Sequence, residues 1–91
     1  MNAPVTPSLR IDKWLWHARF CKTRALAQRK AQAGLIRING RRIEKPGSVV
    51  HQGDIVVVPI AREVIALRVL ALGERRGPPA EARTLYERLD A

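Results

Sequence analysis

The sequence predicts an α+β fold: two N-terminal helices packed on a small, mostly antiparallel sheet, with a C-terminal helix. Three observations predict it. Apolar residues at helical spacing fill the stretch before Gly34. The dipeptide Asn39-Gly40, set between alternating apolar residues, marks a hairpin. Short apolar runs separated by glycine and proline turns follow, and helical spacing returns only near the end.

Taken in order, Met1 to Pro7 is uncharged, contains proline and reads as disordered. Ser8 is placed to cap a helix over about Leu9 to Phe20, with Asp12 near its positive end. Ile11, Trp14, Leu15 and Ala18 share one stripe of that helix, its natural core face. Lys13, Trp16 and Phe20 form a second stripe on the opposite side. Its aromatics either pack against a later element, the favoured reading, or offer stacking surfaces to unpaired bases.

Thr23 is the expected N-cap of a second helix over about Arg24 to Ala33, slim because four of its residues are alanine. Gly34 suits a left-handed stop. With a two-residue loop at Asn39-Gly40, Ile38 faces Arg41, Arg37 faces Arg42 and Ile36 faces Ile43. The isoleucines then share the inner face, while Arg37 and Arg42 lie side by side outside. Like charges there oppose each other unless an anion sits between them or water separates them. Strands are expected at Val49-Val50, Ile55 to Val58 and Val64 to Leu72, and a terminal helix at Ala80 to Leu89. The organisation is an N-terminus at 1–8, one domain at 9–72 and a helical tail at 73–91.

Charge is distributed unevenly. The net charge is +9, and Ser8 to Lys45 holds eleven basic and two acidic residues, so the entire excess lies there. From Lys22 to Arg42 there are seven Lys or Arg and no acid. Such concentration is either a solvated basic face or an electrostatic footprint for a polyphosphate, with RNA the favoured partner.

Other chemistry is missing from the pattern. Cys21 is the single cysteine, so no intrachain disulfide forms, and no secretory pattern precedes it. The chain is therefore expected in the cytoplasm, as a monomer and off the membrane, since its longest apolar run is interrupted by Pro59. His17 and His51 read as surface or packing residues, and no ligand set for a metal is spaced along the chain. No P-loop, nucleophile elbow or pair of acids supports catalysis, and no cofactor is expected. Asp54, after Gly53, is expected to hydrogen bond the turn backbone. Asp12 reads as an orienting ion-pair partner.

Three segments carry a resemblance: R-I-D-K-W-L at Arg10 to Leu15, K-T-R-A-L-A at Lys22 to Ala27 and G-L-I-R-I-N-G at Gly34 to Gly40. Together they resemble the αL motif, the RNA-binding domain named after small-subunit ribosomal protein S-four. Two longer patterns narrow it. D-K-W-L-W-x-A-R-F-x-K-T-R-A-L-A from Asp12 and E-R-R-G-P-x-x-E-A-x-x-L-Y-E from Glu74 look like the ribosome-associated heat-shock proteins of fifteen kilodaltons. The match runs from about Leu9 to Leu89.

The resemblance implies a non-enzymatic binder of ribosomal RNA on the large subunit, associated with nascent chain still attached to tRNA and with recycling of such subunits after heat stress. It implies RNA-facing roles for Arg10, Lys13, Arg19, Lys22, Thr23, Arg24, Arg37, Asn39 and Arg41, and the basic hairpin adds Arg42 and Lys45. The family commonly continues into a longer basic C-terminal extension, whereas this sequence ends at Ala91. Lys30 and Gln32 are polar where relatives are more apolar. Two other readings stay open: the RNA-binding appendage of an RNA-modifying enzyme such as a pseudouridine synthase, and a general DNA- or RNA-binding module.

Overall fold

The computed structural model describes residues 6–89. The disorder expected for the N-terminus falls mostly on residues 1–5, which lie outside the described residues. Leu9–Arg10 form a short strand, β1, directly followed by helix α1 at Ile11–His17. Ser8 does not cap this helix. β1 pairs instead with β4 (Val49–Val50), and the Ile11 N–H donates to the Ser48 carbonyl at 2.7 Å. A tertiary acceptor satisfies the free helix end that a local serine was expected to satisfy.

α1 ends three residues before Phe20, in a Schellman turn. Arg19 takes φ 64°, its N–H donates to Trp16 O, and the Phe20 N–H reaches back to Leu15 O. A non-glycine residue in the left-handed region costs roughly 1–2 kcal/mol. The cost is offset here by Arg19 Nε, which donates to Gly77 O at 2.6 Å.

Helix α2 spans Arg24–Gln32 and begins as expected, with Thr23 Oγ1 accepting from Leu26 N–H at 3.1 Å. It closes with the same turn as α1, now on Gly34 at φ 71°. Strands β2 (Ile36–Ile38) and β3 (Arg41–Ile43) pair in the anticipated register: Ile38 with Arg41, Arg37 with Arg42, Ile36 with Ile43.

β5 (Ile55–Ile60) and β6 (Glu63–Val69) complete the centre of an antiparallel sheet that, with β7 at Tyr86–Arg88, is ordered β3-β2-β5-β6-β7. Pro59, which has no N–H to donate, lies in β5 beyond the residues that β2 pairs, so no ladder bond is lost there. Helix residues Ile11, Trp14, Leu15, Ala27 and Ala31 meet Ile36, Val56, Val58, Ile65 and Leu67 in one core. The Trp14 indole N–H is satisfied within that core by Ala71 O at 3.0 Å.

The C-terminal helix is present but short. α3 spans Pro79–Ala82, a 3₁₀ turn follows at Arg83–Leu85, and Tyr86–Arg88 form strand β7 rather than more helix. β7 pairs with β6 through Val69–Tyr86, Arg68–Glu87 and Leu67–Arg88. Without it β6 would expose a row of unpaired backbone groups, and edge pairing outcompetes the helical periodicity. Ala82 and Leu85 of the expected stripe are buried nonetheless, and Tyr86 meets Phe20 edge-on at 4.5 Å. Phe20 thus packs against a later element, as the favoured reading of its stripe had it. Strand β6 stops at Val69, short of the expected Leu72.

Candidate nucleic-acid interface

Asp12 is fully buried, an unusual place for a carboxylate, and it is surrounded by donors. Arg10 approaches it with Nε and Nη2 at 3.1 and 3.0 Å, and Gln28 Nε2 donates at 3.2 Å. Its own helix adds the Lys13 backbone N–H at 2.8 Å, and Arg24 Nη2 stands 3.6 Å from Oδ2. Burial pushes this carboxyl up. The hydrogen bonds from Arg10 and Gln28 and the charges of Arg10 and Arg24 outweigh it and hold the group below the usual carboxylate value.

The hairpin supplies a second group. Arg37 and Arg42 are opposite one another and both exposed. Arg42 leans towards Glu44, 3.6 Å away, and its guanidinium lies over Gly34, where any Cβ would run into it. A cation there also suits the negative end of α2. Among the described residues Arg37 makes only a long contact, 3.5 Å, to the Gly40 carbonyl. Arg24 opens the nine-residue α2 and the Arg42 guanidinium covers its end, so the two groups lie at opposite ends of that helix. Arg29 is exposed on the helix between them.

The remaining predicted residues divide. Lys22, Arg41 and Lys45 are exposed and Lys13 is half-buried. Arg41 rims a cleft of about 380 Å³ with Ile38, Ile43, Ser48 and His51. Thr23 serves as a helix cap, and Arg19 ties α1 to the Gly77 segment. Asn39 is bound into the fold: Nδ2 donates to Asp54 Oδ1 at 3.1 Å, and Oδ1 accepts from Ile55 N–H at 2.8 Å. Asp54 also accepts from the His51 backbone N–H at 2.8 Å, the turn role expected for it.

Gln28 was missed by sequence reasoning, since its bond to Asp12 spans 16 positions and depends on how α2 crosses α1. Arg76, whose guanidinium sits 5.8 Å over the Trp16 ring, was missed too. The aromatic-and-basic composition of both segments was the available signal. Elsewhere, His17 is buried, with Nδ1 against Leu72 O at 3.2 Å and, among the described residues, no partner at Nε2. Burial pushes the Cys21 thiol up, with the Lys30 charge opposing. Among the described residues no group of His, Cys, Asp and Glu is placed to hold a metal, and no helix is long and apolar enough to cross a membrane.

Comparison with known proteins adds to this geometry. The family model of the S4 domain matches residues 9–56, the span from β1 to the start of β5 that contains both arginine groups. The chain is 40% identical over 89 residues to a heat shock protein 15 homolog of Aeromonas salmonicida, covering 98% of this chain and 67% of that protein. It is 40% identical over 79 residues to heat shock protein 15 of Escherichia coli (strain K12), and spans 59% of that protein's length. The RQC P-site tRNA stabilizing factor of Halalkalibacterium halodurans is 34% identical over 79 residues, covering 87% of this chain and 88% of that protein. Among solved structures, a trimeric structure of Vibrio cholerae heat shock protein 15 superposes with TM-score 0.85 at 32% identity, covering 91% of this chain and 83% of that one.

Proposed function

This chain belongs to the S4 domain family, and from that premise we propose that it is a non-catalytic RNA-binding protein of the large ribosomal subunit. Its work is the recycling of cytoplasmic subunits blocked by a nascent chain still joined to tRNA after heat stress. The observation that carries the reading is the pair of arginine groups at the two ends of α2. Arg10 and Arg24 stand at one end, Arg37 and Arg42 at the other, and the acid nearest the first pair is turned fully inside.

Two arginine groups set at opposite ends of a helix can contact backbone phosphates several nucleotides apart. Recognition by such a surface relies on phosphate contacts and shape rather than a base code. The relatives named heat shock protein 15, and the one named for stabilizing a P-site tRNA, support the ribosomal partner. The solved relative is described as a trimer, so self-association on the ribosome joins the reading as a second possibility to the monomer.

The test is co-sedimentation with separated ribosomal subunits over a salt series, using large subunits with and without peptidyl-tRNA. Preferential retention on blocked large subunits, weakening steeply with salt, is the expected result. Equal, weak retention on both subunits would reduce the protein to a generic RNA binder. No retention on either would remove the ribosomal reading altogether.

A further inference from the structure

Asp12 poses a question of charge balance. A carboxylate with no exposed surface costs several kcal/mol to desolvate, and an apolar residue of similar size commonly serves a core as well. Here it faces two guanidinium groups that remain in contact with solvent, Arg10 at 50% and Arg24 at 39% side-chain exposure. Both reach the same oxygen, with Arg10 Nη2 at 3.0 Å and Arg24 Nη2 at 3.6 Å from Oδ2. One negative charge therefore gathers two positive ones.

The gathering is braced from several sides. Gln28 Nε2 and the Lys13 N–H fix the carboxylate, and Gly47 stands near the Arg10 guanidinium, where an added Cβ would come 3.9 Å from its Cζ. Arg24 Nε is buried without an acceptor among the described residues, so this guanidinium is held by Nη2 alone. Among the described residues Nη1 of neither arginine has a partner. The local excess is one positive charge, which a single phosphodiester would neutralise, and one donor from each arginine can meet one of its two free oxygens.

We propose that Asp12 is a positioning residue, holding Arg10 and Arg24 as a two-guanidinium fork that takes one phosphate of an RNA backbone. This rests on the RNA-binding reading above. It adds that orientation, and not only positive charge, sets the affinity at this end of α2.

Two variants separate orientation from charge. Arg10→Lys/Arg24→Lys keeps the net charge of +9 but removes both guanidinium groups of the fork. Asp12→Asn is nearly isosteric and makes the protein more positive by one. Binding of each to a fluorescently labelled RNA duplex is measured by anisotropy over a salt series, with circular dichroism melts to establish folding. The double lysine variant is expected to bind about tenfold more weakly than the wild type at one salt concentration. Asp12→Asn is expected to bind more weakly too, although a charge-only surface would bind more tightly.

If the double lysine variant binds as the wild type does, or if folded Asp12→Asn gains affinity, the fork is wrong. If Asp12→Asn does not fold, the lysine variant decides alone. Failure of the wild type to bind RNA at all would instead overturn the RNA-binding reading, and the fork with it.

Discussion

Asn39 and Asp54 lock the hairpin tip to the start of β5 through a 3.1 Å side-chain bond, and Asn39 accepts from the neighbouring Ile55 N–H at 2.8 Å. Asn39 also holds φ 51°, a conformation asparagine tolerates better than most residues. A residue that matches a nucleic-acid-binding motif is thus occupied by the fold. Asn39→Gly keeps the backbone freedom and loses the bonds, whereas Asn39→Ala loses both. Urea denaturation should give a loss of about 1–2 kcal/mol for Asn39→Gly and a further ~1 kcal/mol for Asn39→Ala. Equal stability of the two variants would mean the turn conformation carries no strain.

The β5–β6 connection suggests a gain instead. Ile60 pairs with Glu63, so the loop is Ala61-Arg62, and Ala61 carries φ 54° without glycine or asparagine to ease it. Ala61→Gly should raise stability by about 0.5–1 kcal/mol, after its larger unfolded-state entropy is subtracted from the strain relieved. In a domain of this size that corresponds to a rise in Tm of several degrees. An unchanged or lower Tm would place the entropy loss above the strain.

The contrast between those two turns explains what the sequence made legible. Asn39-Gly40 announces its turn, and the register of the hairpin follows from parity alone. Thr23 likewise announces its cap, because capping is a contact over three residues. Ala61-Arg62 announces nothing, since the strands on either side impose the turn. The same holds at the C-terminus, where Ala82 and Leu85 obey helical spacing and are buried, yet Tyr86–Arg88 pair with β6. Ser8 lost its cap for a similar reason. In each case a partner distant in sequence decided the local structure. The candidate site divides the same way: the charge excess between Ser8 and Lys45 was visible, while the convergence of Arg10, Arg24 and Gln28 on Asp12 needed the packing of α1 on α2.

Asp12 should also leave a mark on acid stability. Its folded pKa lies below the ordinary 3.8, so the unfolded chain binds the proton more readily. The stability it contributes is then complete above 3.8 and is lost as the pH falls from there through the folded value. Urea midpoints of the wild type and Asp12→Asn, followed from about pH 6 to pH 2, give the difference curve. The gap between them should narrow in that acidic window and stay constant above it. A gap that stayed constant throughout would mean that Asp12 titrates alike in both states.

Arg37 offers the sharpest separation of fold from binding. It stands directly opposite Arg42 on the exposed face, a like-charge pair that opposes strand pairing. Arg37→Glu would put a carboxylate across from Arg42, an arrangement worth roughly 0.2–1 kcal/mol to the hairpin. The same change withdraws two units of positive charge from the proposed RNA surface. Stability and affinity should therefore move in opposite directions: Tm rises slightly, while binding to large ribosomal subunits weakens and its salt dependence becomes shallower by about 1–2 in the log–log slope. Arg83→Glu, at the exposed start of the 3₁₀ turn, carries the same charge change in a segment outside the proposed face. It should weaken binding far less. Equal losses from the two reversals would show that only overall charge matters, and the hairpin would no longer be part of the interface.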